Sequence, residues 1–241
     1  MNLSGQEFKI IKKYNKFNQG SEGKLYYYDN YLIKIYYNHI INEKKETINY
    51  IIDKKNIEGC VLPRDKVYIN GLFKGISTDY YSDYKPLSKT YKNNQLNFKD
   101  KLEICKKVTE ALILLHKNKI IHNNVNLDNI ISNNKNALLI DIDGGLPIEV
   151  LNQDEFQHLV KGDQYSAVIT ILSYLYNFDF ERYIYKYGIE NFKMSLTSFP
   201  IKENLLNYIS DLISNNLNEY NYMNKYFNYL DEKTEIKRKR K

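Results

Sequence analysis

Cysteine and tryptophan are scarce in this chain of 241 residues, which has two cysteines and no tryptophan. Cys60 and Cys105 lie far apart, without a second pair of ligands nearby, which argues against a disulfide framework and against a structural zinc site. The chain has 24 tyrosines and is rich in Asn, Lys and Ile. We interpret this as a coding bias, so these residue types carry less functional meaning than usual.

Long apolar runs are also missing. No stretch approaches the roughly 18 apolar residues that a membrane span needs. The first seven residues, Met1 to Glu7, lack the charged start and apolar run of a signal peptide. The sequence therefore predicts a protein without a transmembrane segment that works in a reducing, intracellular compartment, the cytoplasm.

Most of the net positive charge lies at one end of the chain. The formal net charge is +6, but residues 237–241 carry five of these charges, so the rest of the chain is close to neutral. This argues against a globally basic nucleic-acid-binding domain. We expect residues 231–241 to form a disordered basic tail. The alternatives are contact with nucleic acid, with an anionic membrane surface, or with import machinery that would lead to the nucleus of a eukaryotic host.

Aromatic and β-branched runs in the first third of the chain predict strands. Two of them flank a turn that contains Gly20 and Gly23, and the second carries Lys34 among apolar neighbours. A glycine-rich turn lets backbone N–H groups approach a polyphosphate, and a strand-borne lysine can reach its oxygens. The alternatives are an ordinary hairpin turn and a lysine that extends to solvent.

A helix is predicted from Asn42 to Ile52, followed by a hairpin at Asn70-Gly71 between strands 66–69 and 73–78. Glu46 of this helix, or else Glu43, can pair with Lys34. The alternative is a solvated acid. The polar residues 87–97 are expected to separate two lobes.

The second part of the chain is predicted to be mostly helical. Apolar residues from Phe98 to Leu115 recur at three- and four-residue steps. A second apolar helix is expected from Gln164 to Tyr176 with Asp163 as its N-cap. Further helices are expected at 180–187, 202–214 and 219–230.

The order of these segments resembles the eukaryotic-like protein kinase superfamily over essentially the whole chain, and a compact bacterial, phage or viral member in particular. Residues 20–26 (GSEGKLY) are similar to the glycine-rich loop, residues 32–34 (LIK) to the strand that carries the family's lysine, and Glu46 to its helix-borne partner. Residues 122–130 (HNNVNLDNI) match the catalytic loop in position. Residues 141–143 (DID) stand where Asp-Phe-Gly is found, and residues 163–166 (DQYS) resemble the start of the central helix of the large lobe.

The resemblance implies an α+β, bilobal fold with a β-rich lobe over residues 1–86 and a helical lobe over 87–230. It also implies ATP, or another purine nucleotide, with Mg²⁺ as the ligand. The implied roles are a glycine-rich loop at Gly20, Ser21, Gly23 and Leu25, a phosphate-holding lysine at Lys34 with its ion-pair partner Glu46, a gatekeeper at Thr78, a hinge from Asp79 to Tyr81, and metal ligands at Asn129 and Asp141.

Three asparagines depart from the family pattern. Asn124 replaces the catalytic acid, Asn126 the lysine that steadies the transferred phosphoryl group, and Asn123 the preceding arginine. Loss of a general base typically lowers the rate by about 10²–10⁴. These departures predict a pseudokinase or a very weak kinase. Asp143 is a candidate second metal ligand or substitute base, and the alternative is a polar turn residue.

The segment between Asp143 and Asp163 is short and contains no serine or threonine. It leaves little room for a peptide-docking platform or for switching by phosphorylation, and this favours a protein that acts by binding a protein partner. The alternatives are an active Ser/Thr kinase with a non-standard base, a nucleotidyl transferase on the same fold, and a scaffold that binds no nucleotide.

Overall fold

Strands dominate the first third of the chain and long helices the rest, so the fold belongs to the α+β class. The structure is a computed structural model that describes residues 1–54, 56–92, 96–214 and 222–230. The strands are β1 (Asn2–Leu3), β2 (Lys16–Gln19), β3 (Gly23–Tyr28), β4 (Tyr31–Tyr36), β5 (Asp65–Ile69), β6 (Leu72–Asp79), β7 (Lys85–Pro86), β8 (Ile120–Ile121), β9 (Ile130–Ser132), β10 (Ala137–Leu139) and β11 (Leu146–Pro147). The helices are α1 (Gly5–Tyr14), α2 (Ile41–Ile52), α3 (Leu87–Thr90), α4 (Phe98–Lys117), α5 (Gln153–Tyr176), α6 (Phe180–Tyr187), α7 (Ile189–Leu196) and α8 (Glu203–Ile213).

Six of the strands form one sheet in the order β1-β5-β6-β4-β3-β2. β1 pairs in parallel with β5, and the other neighbours are antiparallel. Asn70 and Gly71, which connect β5 to β6, have φ angles of 50° and 78°. A two-residue turn matched to the twist of a hairpin requires positive φ at both positions. The hairpin predicted at this dipeptide is confirmed, as is α2.

Two short sheets, β10-β9-β7 and β11-β8, hold the polar loop that follows Ile121. β8 ends directly before this loop and β9 begins directly after it. β10 pairs with β9 in antiparallel register, with Leu139 opposite Ile130. The backbone N–H of Ile140 donates to the carbonyl of Asn129 at 3.0 Å. Asn129 and Asp141 are therefore held side by side by strand pairing.

Helix α1 was not predicted, although the sequence contains its start signal. The Ser4 hydroxyl accepts from the Glu7 N–H, and the Glu7 carboxylate accepts from the Ser4 N–H. This reciprocal pair is a capping box. Ile11 is the buried residue of the helix and packs with Leu3, Tyr26, Ile33 and Val67.

The core of the helical part forms around α4 and α5. α4 begins at Phe98 as predicted, and its N-cap Asn97 accepts from the Asp100 N–H. Residues 167–175 of α5 are buried without interruption, so this part of the helix is covered on all sides. Within the described part of the chain, no helix is both long and apolar enough to cross a membrane.

The predicted start of α5 was wrong. The helix begins at Gln153, where Asn152 and Glu155 form a capping box, and Asp163 lies within it rather than at its end. The aspartate fits inside the helix because its side chain accepts hydrogen bonds from outside the helix, from the N–H groups of His122 and Asn123. A capping residue would instead accept from its own helix.

The remaining helices agree in part with the expectations. α6 and α8 are confirmed, whereas α7 was not predicted and α3 lies within the expected linker 87–97, of which 93–95 lie outside the described residues. Over 222–230 the predicted helix is replaced by two 3₁₀ turns, Met223–Lys225 and Phe227–Tyr229. The rest of that helix and the tail 231–241 lie outside the described residues.

Two glycines give opposite predictions for stability. A Cβ at Gly75 of β6 would overlap the carbonyl oxygen of Lys34 on β4, whereas a Cβ at Gly162 of α5 would meet nothing within 4 Å. Gly75→Ala should lower the free energy of unfolding by about 2 kcal/mol or more, because the added methyl group would push β6 away from β4 and disrupt the hydrogen bonds between them. Gly162→Ala should raise it by about 0.5–1 kcal/mol. Urea unfolding of both variants checks this, and equal stabilities would contradict the close approach of β6 to β4.

Candidate functional site

A cleft of about 600 Å³ lies between the six-stranded sheet and the segments that follow β8 and β10. All of the predicted site residues line it except Glu46. These residues are Gly20, Ser21, Gly23, Leu25, Lys34, Thr78, Asp79, Tyr81, Asn124, Asn126, Asn129, Asp141 and Asp143. Residues far apart in the sequence are thus brought together at one site.

The alternation of side chains along β4 places Lys34 in the cleft. Leu32 and Lys34 line the cleft, while Ile33 and Ile35 pack on the opposite face of the sheet with Leu3 and Ile11. Lys34 lies opposite Leu25 on β3 and Ile76 on β6. A lysine in the middle of the sheet therefore has apolar neighbours on both sides.

Apolar side chains from the sheet and from β9 and β10 form the walls of the cleft beyond Lys34. This part of the cleft combines apolar side chains with polar groups at its edge, an arrangement typical of small-molecule sites. The apolar residues that line it include Leu25, Leu32, Val61, Ile76, Ile131 and Ile140.

The ammonium group of Lys34 contacts three carboxylates. Its Nζ lies 2.6 Å from Asp141, 2.8 Å from Asp143 and 2.9 Å from Glu22. Burial alone would lower the pKa of Lys34, but the charges of Asp143 and Asp141 raise it overall. The lysine is therefore charged at every physiological pH and joins β4 to the segment after β10.

Glu22 bridges two lysines. One carboxylate oxygen lies 2.9 Å from Lys34 and the other 2.6 Å from Lys44 of α2. Burial alone would raise the pKa of Glu22, but the hydrogen bonds from Lys44 and Lys34 lower it below the usual value. The glutamate is ionised and forms ion pairs with both lysines.

The expected pair between Lys34 and Glu46 was wrong. Glu46 is exposed, and within the described residues neither it nor Glu43 makes an ion pair with Lys34. The reason is the orientation of α2, which directs Lys44 toward the cleft. Residues two apart on a helix are separated by about 200° around its axis, so Glu46 points away.

Asp143 is buried in the cleft and is not a solvent-exposed turn residue. It is 2 % exposed, and its carboxylate accepts from the Tyr36 hydroxyl at 2.8 Å and contacts Lys34. Burial raises the pKa of Asp143, which the charge of Lys34 opposes. Burial and the nearby carboxylates raise the pKa of Tyr36, which keeps its hydroxyl protonated as a donor.

Three of the four asparagines in the polar loop, Asn124, Asn126 and Asn129, are joined by hydrogen bonds. The Asn126 amide nitrogen donates to the Asn124 side-chain oxygen at 2.8 Å, and the Asn129 amide nitrogen donates to the Asn124 carbonyl at 2.9 Å. The Asn126 oxygen accepts from the backbone N–H groups of Asp128 and Asn129. The Asn129 side chain thus uses its nitrogen within the loop and presents its oxygen as an available acceptor.

The buried Asp163 holds the start of this loop. Its carboxylate accepts from the N–H of His122 at 2.7 Å and from that of Asn123 at 2.8 Å, and it lies 2.9 Å from Nε2 of His116. These contacts fix the backbone where Asn123 adopts a φ of 64°. Asn and Asp tolerate this left-handed conformation better than other residues.

Asp141 adopts the same conformation, with φ 65° and ψ 33°. It is followed by a 3₁₀ turn over Ile142–Gly144, so the chain changes direction at the residue that contacts Lys34. Non-glycine residues in this region cluster at functional sites.

Three carboxylates that surround the Lys34 ammonium lie close enough together that they could also hold a metal ion. One oxygen from each of Glu22, Asp141 and Asp143 lies within 4.8 Å of the others. Oxygen donors of this kind suit Mg²⁺, and the side-chain oxygen of Asn129 adds a neutral donor on the same wall.

Sequence reasoning missed Glu22, Tyr36 and Lys44. Tyr36 could have been found, because residues i and i+2 of a strand share a face and Lys34 was already a candidate. Lys44 could also have been placed on the inward face of α2, because it precedes the apolar residues Ile48 and Ile51 by four and seven positions. The contact of Glu22 with both lysines follows only from the tertiary structure.

No protein-family model matches the chain, and no match to it was found among curated proteins. The side chains of the cleft are therefore the basis for assigning a function.

The burial of His122 predicts that the folded protein loses stability in acid. Both of its ring nitrogens are buried without a hydrogen-bond partner in the described structure, and burial lowers its pKa although Asp163 and Asp141 oppose this. The unfolded chain therefore binds a proton below about pH 6.5 that the folded chain resists, so stability falls as the pH drops through this range.

His122→Leu should remove that part of the pH dependence, about 1 kcal/mol between pH 6.5 and 5.5. Urea unfolding at several pH values measures it, with the exposed His158→Gln as the matched control. An identical acid dependence in His122→Leu and the natural chain would contradict the prediction.

Proposed function

We infer that this protein binds a purine nucleotide such as ATP together with Mg²⁺, on a two-lobed fold that resembles the protein kinases, and that it transfers phosphate poorly or not at all. The observation that carries this proposal is the contact between Lys34 and Asp141 at the end of an apolar slot. In a kinase-like site these two residue types hold the phosphates and the metal.

The shape and polarity of the cleft support a nucleotide. The apolar slot suits a base, and Thr78, Asp79 and Tyr81 at the end of β6 offer polar groups along its edge. Lys34 supplies the positive charge that phosphates need, and the turn of Gly20 to Gly23 borders the same space. About 600 Å³ lies within the usual range for small-molecule sites.

The oxygen donors of the cleft fit a magnesium ion. Asp141 and Asn129 would hold it, with Asp143 as a further ligand, since Mg²⁺ is typically bound through one or two carboxylates and substrate phosphates. Bound Mg²⁺ supplies positive charge that neutralises the β- and γ-phosphates. Lys34, which contacts Asp141, would hold the phosphates beside the metal ligands.

Weak transfer follows from the polar loop. Asn124 can accept a hydrogen bond from a hydroxyl group but cannot take its proton, which removes general-base catalysis. Asn126 brings no positive charge to the transferred group, which removes electrostatic stabilisation as well. Bound nucleotide then acts as a stabilising ligand for a protein that works through a protein partner.

Nucleotide with Mg²⁺ should raise the melting temperature by about 5 °C when present at about 100 times its dissociation constant. Lys34→Ala and Asp141→Ala should abolish the shift because they remove the phosphate and metal contacts. Glu46→Gln should leave it unchanged, because Glu46 is exposed outside the cleft. A thermal shift panel with ATP, ADP and GTP measures this, with circular dichroism to verify that each variant is folded. Absence of a shift with every purine nucleotide would refute the proposal.

A second candidate function is weak transferase activity, which the position of Asp143 in the cleft favours, because its buried carboxylate could accept a proton there instead of binding the metal. If transfer occurs, radiolabel from γ-labelled ATP should appear on the protein or on an added extract, and label from α-labelled ATP would indicate nucleotidyl transfer. We expect neither above the background of Asp141→Ala. We also expect Asn124→Asp to remain near background, because Asn126 still lacks a positive charge; strong labelling by this variant would show that one residue alone disables a kinase.

A further inference from the structure

Glu22 connects two lysines that come from different elements of the fold. Lys34 belongs to β4 and Lys44 is the fourth residue of α2, and each contacts a different oxygen of the same carboxylate. One anion with two oxygens thus lies between two ammonium groups. A phosphate group makes the same kind of contact with lysines.

Lys44 is unusual among the charged residues of α2 because it is buried. Its exposed fraction is 6 %, whereas Glu43, Lys45 and Glu46 are exposed. Glu22 is its ion-pair partner in the described structure. A buried ammonium group is stable only beside an anion, so the position of Lys44 requires a negative charge at or near the Glu22 carboxylate.

The chain makes room for the Lys44 ammonium beside the acidic residues. A Cβ at Gly144 would lie 3.3 Å from Nζ of Lys44 and 4.0 Å from the Glu22 carboxylate. Gly144 directly follows Asp143, so the lysine reaches the cleft region over a residue without a side chain. The Lys44 ammonium group therefore lies directly beside the acidic residues of the cleft.

Glu22 separates Lys44 from the open cleft. Glu22 and Lys34 line the cleft, and Lys44 is not among the residues that line it. The backbone of Glu22 is held in place, because its carbonyl accepts from the N–H of Tyr37 at 2.9 Å. Its side chain can rotate about its own bonds, and such a rotation would expose Lys44 to the cleft.

We propose that Lys34 and Lys44 together form a binding site for the polyphosphate of a nucleotide, and that the Glu22 carboxylate is an internal competitor that the polyphosphate displaces. The inference deepens the proposed function and rests on it for the nucleotide, but the phosphate site itself is independent of a purine. No bond forms or breaks in this exchange, in which one anion replaces another between two lysines.

If Glu22 competes with phosphate for the two lysines, substitutions of Glu22 and of Lys44 should change the affinity for phosphate ligands in opposite directions. Glu22→Gln removes the competing charge and keeps the shape, so inorganic tripolyphosphate and ATP should bind about tenfold more tightly. Lys44→Met removes one charged contact, so both ligands should bind about tenfold more weakly. Adenosine, which has no phosphate, should bind equally to all variants. Isothermal titration calorimetry with the full chain measures the three ligands.

The controls test charge and folding separately. Glu43→Gln and Lys45→Met remove the same charges from exposed positions and should change binding less than twofold. Lys44→Arg keeps the charge and should keep at least part of the affinity. The double variant Glu22→Gln/Lys44→Met has no unpaired charge at this position, so it should fold, and in it the gain from Glu22→Gln should disappear.

The outcomes distinguish this inference from the proposed function. If ATP binds but Glu22→Gln and Lys44→Met match their controls, the two-lysine site is refuted and nucleotide binding stands. If tripolyphosphate binding depends on both residues but neither ATP nor adenosine shows a contribution from the base, the phosphate site stands and the purine nucleotide is refuted. If neither the natural chain nor Glu22→Gln binds any of the ligands, both are refuted.

Discussion

The contact of one ammonium group with three carboxylates organises the cleft. Lys34 reaches Asp141, Asp143 and Glu22 within 2.6–2.9 Å, and these acids come from the segment after β10 and from the turn before β3. A charge taken out of water is costly unless it is paired, and each of these partly buried groups is paired. The sheet and the segment after β10 are therefore held in one arrangement by electrostatics. Three carboxylates surround the single positive charge of Lys34. Lys44 adds a second positive charge beside Glu22, and the Tyr36 hydroxyl donates a hydrogen bond to Asp143.

Local signals in the sequence identified much of the fold and part of the cleft. Asn70-Gly71 determines its own turn through positive φ angles, and the spacing of Phe98 to Leu115 determines the buried face of α4. Gly20 and Lys34 were found because a glycine-bearing turn and a lysine among apolar neighbours are visible in the chain itself, whereas residues such as Thr78 were expected only from the resemblance to the protein kinases. The capping boxes at Ser4 and Asn152 were visible in the same way and were overlooked.

Contacts between distant segments could not be predicted. Asp163 follows a glycine and resembles a helix cap, but its buried carboxylate accepts N–H groups of His122 and Asn123, about forty residues away in the sequence. The partner of Lys34 depends on the rotation of α2 about its axis. Packing of Ile48 and Ile51 in the core determines that rotation, and Lys44 lies on the same face because it precedes Ile48 by four residues. What the sequence does not contain is the position of Glu22, the carboxylate that Lys44 contacts.

The side chains of the polar loop depend on one another through hydrogen bonds. The Asn126 oxygen accepts two backbone N–H groups, from Asp128 and Asn129, and its nitrogen donates to Asn124. A lysine at position 126 has no acceptor atom, so it would leave both N–H groups without this partner. An aspartate at position 124 could still accept from Asn126, but that hydrogen bond would stabilise its charged form and make it a weaker base. The loop that keeps Asn129 beside Asp141 is thus held by the side chain of Asn126 and by the backbone and side chain of Asn124. A lysine at position 126 would require a different set of hydrogen bonds in the loop.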